Sequence, residues 1–150
     1  MATMTTARGG AWLIEESDEA SMCTREKLSD EQRMIGQTAD EFITHEVLPA
    51  LDRLEQKDWE LARRLVRRAG ELGLLGADIP EALGGVELDK VSAIVVGEAM
   101  GRSASFATTF GAQTGLAITP LLCFGTEEQQ KKYVPPLVRP PIAVLPGPAS

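Results

Sequence analysis

Gly73-Leu74-Leu75-Gly76-Ala77-Asp78-Ile79-Pro80-Glu81-Ala82-Leu83-Gly84-Gly85 divides the chain into two kinds of sequence. Before it the pattern is charged and amphipathic; after it the chain is apolar and rich in small residues. Glycines at 73 and 76, a proline at 80 and a glycine pair at 84 and 85 cannot continue a helix. Glycine opens positive φ to the backbone and proline removes an amide donor. Leu74, Leu75, Ile79 and Leu83 alternate with these breakers, which predicts a connection pinned to a core.

The whole chain has 150 residues, enough for one domain with a real core. Hydrophobic residues make up 43% and aromatic residues only 5%, so the core must consist mainly of Leu, Ile, Val, Ala and Met. A net charge of −7 argues against a nucleic-acid or anionic-membrane surface. Cys23 and Cys123 are far apart and lack metal-type spacing, so a reducing compartment is the default. His45 is the single histidine, which excludes a multi-histidine metal site. Residues 1–10 have no apolar signal segment, and no run reaches membrane-spanning length. A cytoplasmic protein is expected.

Residues 1–28 show no period around the apolar knot Trp12-Leu13-Ile14, and are expected to form a mobile arm anchored by Trp12. Ser29-Asp30-Glu31-Gln32 spells a capping box. The stripe Met34, Ile35, Thr38, Phe42 and Ile43 then has helical spacing. Val47, Leu48, Leu51 and Leu54 carry it past Pro49, where the helix should kink or split. His45 falls near that break and reads as a surface residue. Asp58 opens the next helix, with Trp59, Leu61, Ala62, Leu65, Val66, Ala69 and Leu72 on one side. Arg63, Arg64, Arg67 and Arg68 occupy the other side, and Gly73 stops the helix. The arginine cluster has the composition of a phosphate site, but in so acidic a chain the plainer reading is a solvated face paired with nearby acids.

Beyond the glycine pair, Asp89 caps a predicted helix over 90–101, with Val91, Ile94, Val95 and Ala99 facing inward. Ser103 or Ser105 opens a further helix, roughly 106–122. This helix carries Ala107, Thr108, Thr109, Gly111, Ala112, Thr114, Gly115 and Ala117. Propensity alone does not select such a sequence, since each Gly costs roughly 1 kcal/mol against Ala. Small residues suit either close packing of another helix or close approach of a ligand. Thr126-Glu127-Glu128-Gln129 is a second capping box, opening a short helix through Tyr133. Six prolines between 135 and 150 predict an extended, mobile tail. The mononucleotide, dinucleotide, nucleophile-elbow and zinc-protease motifs are all missing. Residue pattern alone therefore reaches a mainly α domain without a visible catalytic constellation.

The ordered combination of three segments resembles the N-terminal helical domain of acyl-CoA dehydrogenases. Asp30 to Ile35, followed by Glu46-Val47-Leu48-Pro49, is similar to the family's opening helix. Gly70-Glu71-Leu72-Gly73 through Pro80-Glu81 and Gly84-Gly85 is similar to its most recognisable N-terminal segment. Phe124-Gly125-Thr126-Glu127-Glu128-Gln129-Gln130-Lys131-Lys132-Tyr133 is similar to the stretch that closes the helical domain. The resemblance covers 29–138, leaving an arm over 1–28 and an irregular Pro-rich tail over 139–150. The arm, with Trp12 to Glu16, looks like the bacterial long-chain branch, related to the very-long-chain enzymes.

The resemblance implies an FAD-dependent flavoprotein that dehydrogenates acyl-CoA in fatty acid β-oxidation and passes electrons to an electron-transfer flavoprotein. It places FAD between a middle β-domain and a C-terminal bundle, and puts the catalytic base in that bundle. The family's flavin-contacting stretch, expected soon after Tyr133, is not matched here, and the sequence departs from the pattern at about Arg139. A truncated dehydrogenase that is inactive alone is therefore expected, a frameshift near Val144-Leu145-Pro146 being one explanation. No residue of this chain is assigned to catalysis, to flavin or to a metal. In the family, the helix corresponding to 106–122 lines the base of the fatty-acyl cavity. Carried over, this implies an acyl pocket at Thr108, Gly111, Ala112, Gly115 and Leu116. Two alternatives stay open: a non-catalytic helical module binding a partner chain or hydrophobic ligand, and a relative with oxidase or reductase chemistry. Faces left uncovered should favour self-association.

Overall fold

The structure, a computed structural model, describes residues 24–140. The arm with Trp12, Cys23 and the tail beyond Pro140, including 144–146, lie outside these residues. The described residues contain helices and turns but no strands. The main helices are α1 (Asp30–Phe42), α2 (Leu51–Glu55), α3 (Trp59–Glu71) and α4 (Lys90–Met100). They are followed by α5 (Ala104–Gly111), α6 (Thr119–Phe124) and α7 (Glu127–Val138).

The expected starts are all formed by side-chain caps. Ser29 and Gln32 complete a reciprocal capping box on α1, and Thr126 and Gln129 do the same on α7. Asp58 accepts from Leu61 N at 3.0 Å and Asp89 accepts from Ser92 N at 2.8 Å. These amide hydrogen bonds are the largest cause holding each carboxyl below its ordinary pKa. Near Pro49 the first helix does split, through a π turn over Ile43–Val47 and a 3₁₀ turn over Leu48–Ala50. His45 lies exposed in that π turn.

The Gly73–Gly85 connection joins two apolar clusters. Leu74, Leu75 and Ala77 enter the larger one with Phe42, Ile43, Val47, Leu65, Val96, Met100 and Phe106. Ile79 and Leu83 enter the smaller one with Ile118, Val134 and Val138. Gly73 ends α3 at φ +77°, where a side chain would be strained. The loop closes on itself through Val86 N to Gly76 O (2.9 Å), Glu87 N to Ile79 O (2.9 Å) and Leu88 N to Ala77 O (2.8 Å). A Cβ on Gly76 would stand 2.5 Å from Val138 Cγ1, so glycine there lets α7 lie against the connection.

Three expectations need correction. Helix α7 does not stop at Tyr133 but runs through Pro135 and Pro136 to Val138. An interior proline costs roughly 3 kcal/mol. Val134 and Val138, exposed by 0% and 1%, offset that by full burial in the smaller cluster, worth roughly 1.5–3 kcal/mol each. In α4 the buried residues are Ser92, Val96, Ala99 and Met100, while Ile94 is 70% exposed. Apolar residues surround α4, so periodicity could not choose the face; Ser92 fits inside because Asp89 Oδ1 accepts from both its amide and its hydroxyl. Met34 and Trp59 also face outward, at 64% and 62% exposure. Trp59 stands two residues before Leu61, about 200° round the helix from the buried row Leu61, Leu65 and Ala69.

Candidate functional site

The small-residue stretch forms a nearly continuous rod over 104–124, opened by Ser103, whose Oγ accepts from Phe106 N. It starts two residues earlier than expected and is not uniform. A π segment over Ala112–Ile118 interrupts it before α6. In π geometry the backbone bonds i to i+5, and such insertions occur frequently at functional sites. Pro120 follows directly, in the first turn of α6. Thr119 Oγ donates to Thr114 O five residues back, at 3.0 Å.

One side of this rod belongs to the core. Phe106 and Phe110 are 1% and 7% exposed, and Phe106 meets Phe42 edge-on at 5.6 Å between centroids. Ile118 is fully buried in the smaller cluster. Gln113 Nε2 donates to Leu137 O at 2.8 Å, tying the π segment to α7.

The other side carries all five candidate residues. Thr108, Gly111, Ala112, Gly115 and Leu116 are exposed, Leu116 by 79%. A Cβ built on Gly111 or Gly115 meets no atom within 4 Å, so no helix among the described residues packs there. Close helix packing within these residues therefore does not explain the glycines. Thr108 Oγ1 donates to Ala104 O at 2.9 Å, so its hydroxyl is satisfied within the helix and asks no partner of whatever lies above. The five remain on one exposed side, although the π segment breaks the even i, i+4 stacking of Thr108, Ala112 and Leu116 that a uniform α-helix would give.

Sequence reasoning missed a related feature on α4, which packs beside α5. Gly97 is equally open, with no atom within 4 Å of an added Cβ, and Ile94 is exposed. A glycine in a helix with nothing near it was the available signal, masked by the apolar residues on every side of α4.

Three clefts of about 440, 480 and 460 Å³ occur elsewhere among the described residues, each lined partly by charged side chains, and none includes the five residues. The first is lined by acids and polar groups without an arginine, the other two by acids and arginines together. Among the described residues no group of three or more His, Cys, Asp or Glu is placed to hold a metal. No helix of the described residues is long and apolar enough to cross a membrane.

The geometry defines a helical domain with one buried side and one uncovered, small-residue side. Residues 29–140 match the family described as acyl-CoA dehydrogenase, N-terminal domain, and the chain belongs to that family. It is 45% identical over 130 residues to a probable acyl-CoA dehydrogenase of Bacillus subtilis, covering 87% of this chain and 22% of that protein. A crystal structure of an acyl-CoA dehydrogenase complexed with FAD from Bacillus anthracis superposes with a TM-score of 0.81 at 46% identity, over 87% of this chain and 23% of that one. Butyryl-CoA dehydrogenase from Megasphaera elsdenii gives a TM-score of 0.65 at 28% identity, over 79% of this chain and 31% of that one. The 150 residues thus span less than a third of these proteins' length.

Proposed function

We propose that this chain is the acyl-pocket domain of an FAD-dependent acyl-CoA dehydrogenase acting on long-chain substrates in fatty acid β-oxidation. The observation that carries this reading is the uncovered side of the 104–124 rod, where Gly111 and Gly115 have open space above them while Phe106, Phe110 and Ile118 fix the opposite side in the core. Thr108, Gly111, Ala112, Gly115 and Leu116 would form one wall of a cavity for the fatty-acyl chain. Small side chains leave such a slot deep, which supports a long acyl group. On this reading the isoalloxazine and the base that removes the α-proton belong to other domains of the complete enzyme. The chain alone is then inactive, and the electron-transfer flavoprotein would be served by the complete enzyme. The proposed arrangement is an arm over 1–28, the domain over 29–138 and a tail over 139–150, in the cytoplasm.

Mixing the purified chain with FAD and a long-chain acyl-CoA, and following flavin absorbance, tests the division of labour. This reading expects neither retained flavin nor bleaching; bleaching by the chain alone contradicts it. A second reading, a non-catalytic module that binds a partner chain or hydrophobic ligand, draws support from Leu116 and Phe124, exposed by 79% and 90%. The same surface favours self-association, measurable by sedimentation.

A further inference from the structure

The acyl pocket makes no use of the apolar run Trp12-Leu13-Ile14, nor of Glu15, Glu16, Asp18 and Glu19 just after it. Part of this arm is shared with a relative. The match to the Bacillus subtilis protein spans 130 residues, more than 29–140 and the ten residues after it can supply.

A cleft of about 480 Å³ runs between α1 and α4. Leu28, Gly36, Val95 and Ala99 form its apolar lining, and the first three are only half-buried. Gly36 lets the two helices close at its base, since an added Cβ would stand 2.6 Å from Val95 Cγ1. Arg25, Arg33 and Arg102 stand at the rim, exposed and paired with Glu98, Asp30 and Asp40. A guanidinium carries five N–H donors, so a surface pair of this kind does not exhaust it. Arg25 also fixes where the chain enters: it follows the first described residue, Thr24, and is held to α4 through Glu98.

We propose that this cleft is the docking site of the chain's own N-terminal arm. Trp12-Leu13-Ile14 covers Leu28, Val95 and Ala99, while Glu15, Glu16, Asp18 and Glu19 meet the arginine rim. Tethering selects this occupant. The ten residues 15–24 extend to about 35 Å at most, and α1 is about 20 Å long, so the run reaches the whole cleft. Attachment holds it at an effective concentration on the order of millimolar, whereas a separate partner must come from dilute solution. The order of residues fits as well. An apolar run ending in acids meets an apolar floor edged by arginines, and tryptophan supplies a large contact area.

The test uses the full 150-residue chain carrying Trp59→Phe, which leaves Trp12 as its single tryptophan. Trp59 is exposed, so the core is untouched. Trp12 emission should lie to the blue of the same chain in urea, with slower quenching by acrylamide. Its ring protons should give NOEs to the methyls of Leu28 and Val95 within one molecule, as judged by mixing labelled and unlabelled chains. Leu28→Glu should abolish these NOEs and shift the emission to the red. Phe124→Glu, at an exposed residue outside the cleft lining, should change neither. Emission and quenching equal to those in urea, NOEs to residues outside the cleft, or NOEs only between molecules would each overturn the proposal. So would a folded Leu28→Glu chain that keeps the Val95 contact, or equal release by Phe124→Glu. The NOEs of the chain with an unsubstituted cleft decide the matter even if Leu28→Glu does not fold.

Discussion

Gly85→Ala against Gly97→Ala separates two uses of glycine that look alike in the sequence. A Cβ on Gly85 would stand 2.5 Å from Ile79 Cβ and 2.6 Å from its carbonyl carbon, where 3.4 Å begins ordinary contact. The neighbouring atoms are backbone or next to it, so no flexible side chain can swing aside. Overpacking of this kind costs roughly 1–3 kcal/mol. Moving Ile79 would also disturb its bond from Glu87 N, one of the three that close the connection, at a further cost of about 1 kcal/mol. A loss of roughly 3 kcal/mol should lower Tm by about 10 °C. At Gly97, on the exposed side of α4, nothing lies within 4 Å of the added methyl. There alanine should stabilise by roughly 0.5–1 kcal/mol through helix propensity. Thermal and urea unfolding monitored by circular dichroism measure both. Gly85→Ala within about 0.5 kcal/mol of the parent, outside the overpacking range, would refute the view that the connection is locked by close approach.

Other substitutions probe the caps, the core and the titrations. Ser29→Ala removes the cap on α1 and should cost about 1 kcal/mol by urea unfolding, with m unchanged. Phe42→Ala, in the larger cluster and edge-on to Phe106, should cost roughly 3–5 kcal/mol in the same assay. Asp58 and Asp89 are held below the ordinary carboxylate range, chiefly by the amides of Leu61 and Ser92. Their ionised forms therefore favour the folded state; that contribution is complete above the ordinary carboxylate pKa and drains away as pH falls through the lowered values. Asp89→Asn should accordingly flatten the acid limb of a stability-against-pH curve, and an unchanged limb would contradict the assignment.

The parts of the fold legible in the sequence were those set by local chemistry. Ser29, Asp58, Asp89 and Thr126 cap helices because a short side-chain oxygen can reach an amide two or three residues on, whatever surrounds it. Gly73 terminates α3 for an equally local reason. What stayed hidden depended on distant partners. Pro135 and Pro136 lie inside α7 because Val134 and Val138 bury themselves against residues contributed by the Gly73–Gly85 connection and by Ile118. Ile94 and Trp59 point outward because helical periodicity does not by itself say which of several apolar arcs meets the core. The exposed side of 104–124 was legible as small residues, and two explanations fitted it equally well; the open space over Gly111 and Gly115 rules out close packing only by helices among the described residues. The π segment over Ala112–Ile118 falls within a stretch whose spacing predicts an ordinary helix.

Acyl-chain preference tests the central claim, that this open side walls a fatty-acyl cavity. Residues 29–140 can be placed in the Bacillus subtilis relative, which is 45% identical over the matched stretch, and Ala112→Phe introduced into the resulting full-length enzyme. Turnover would then be followed over a series of acyl-CoA lengths, with FAD content checked. The account predicts a shift of preference toward shorter chains at unchanged flavin loading. An unchanged chain-length profile in an active, flavin-loaded Ala112→Phe enzyme would contradict it.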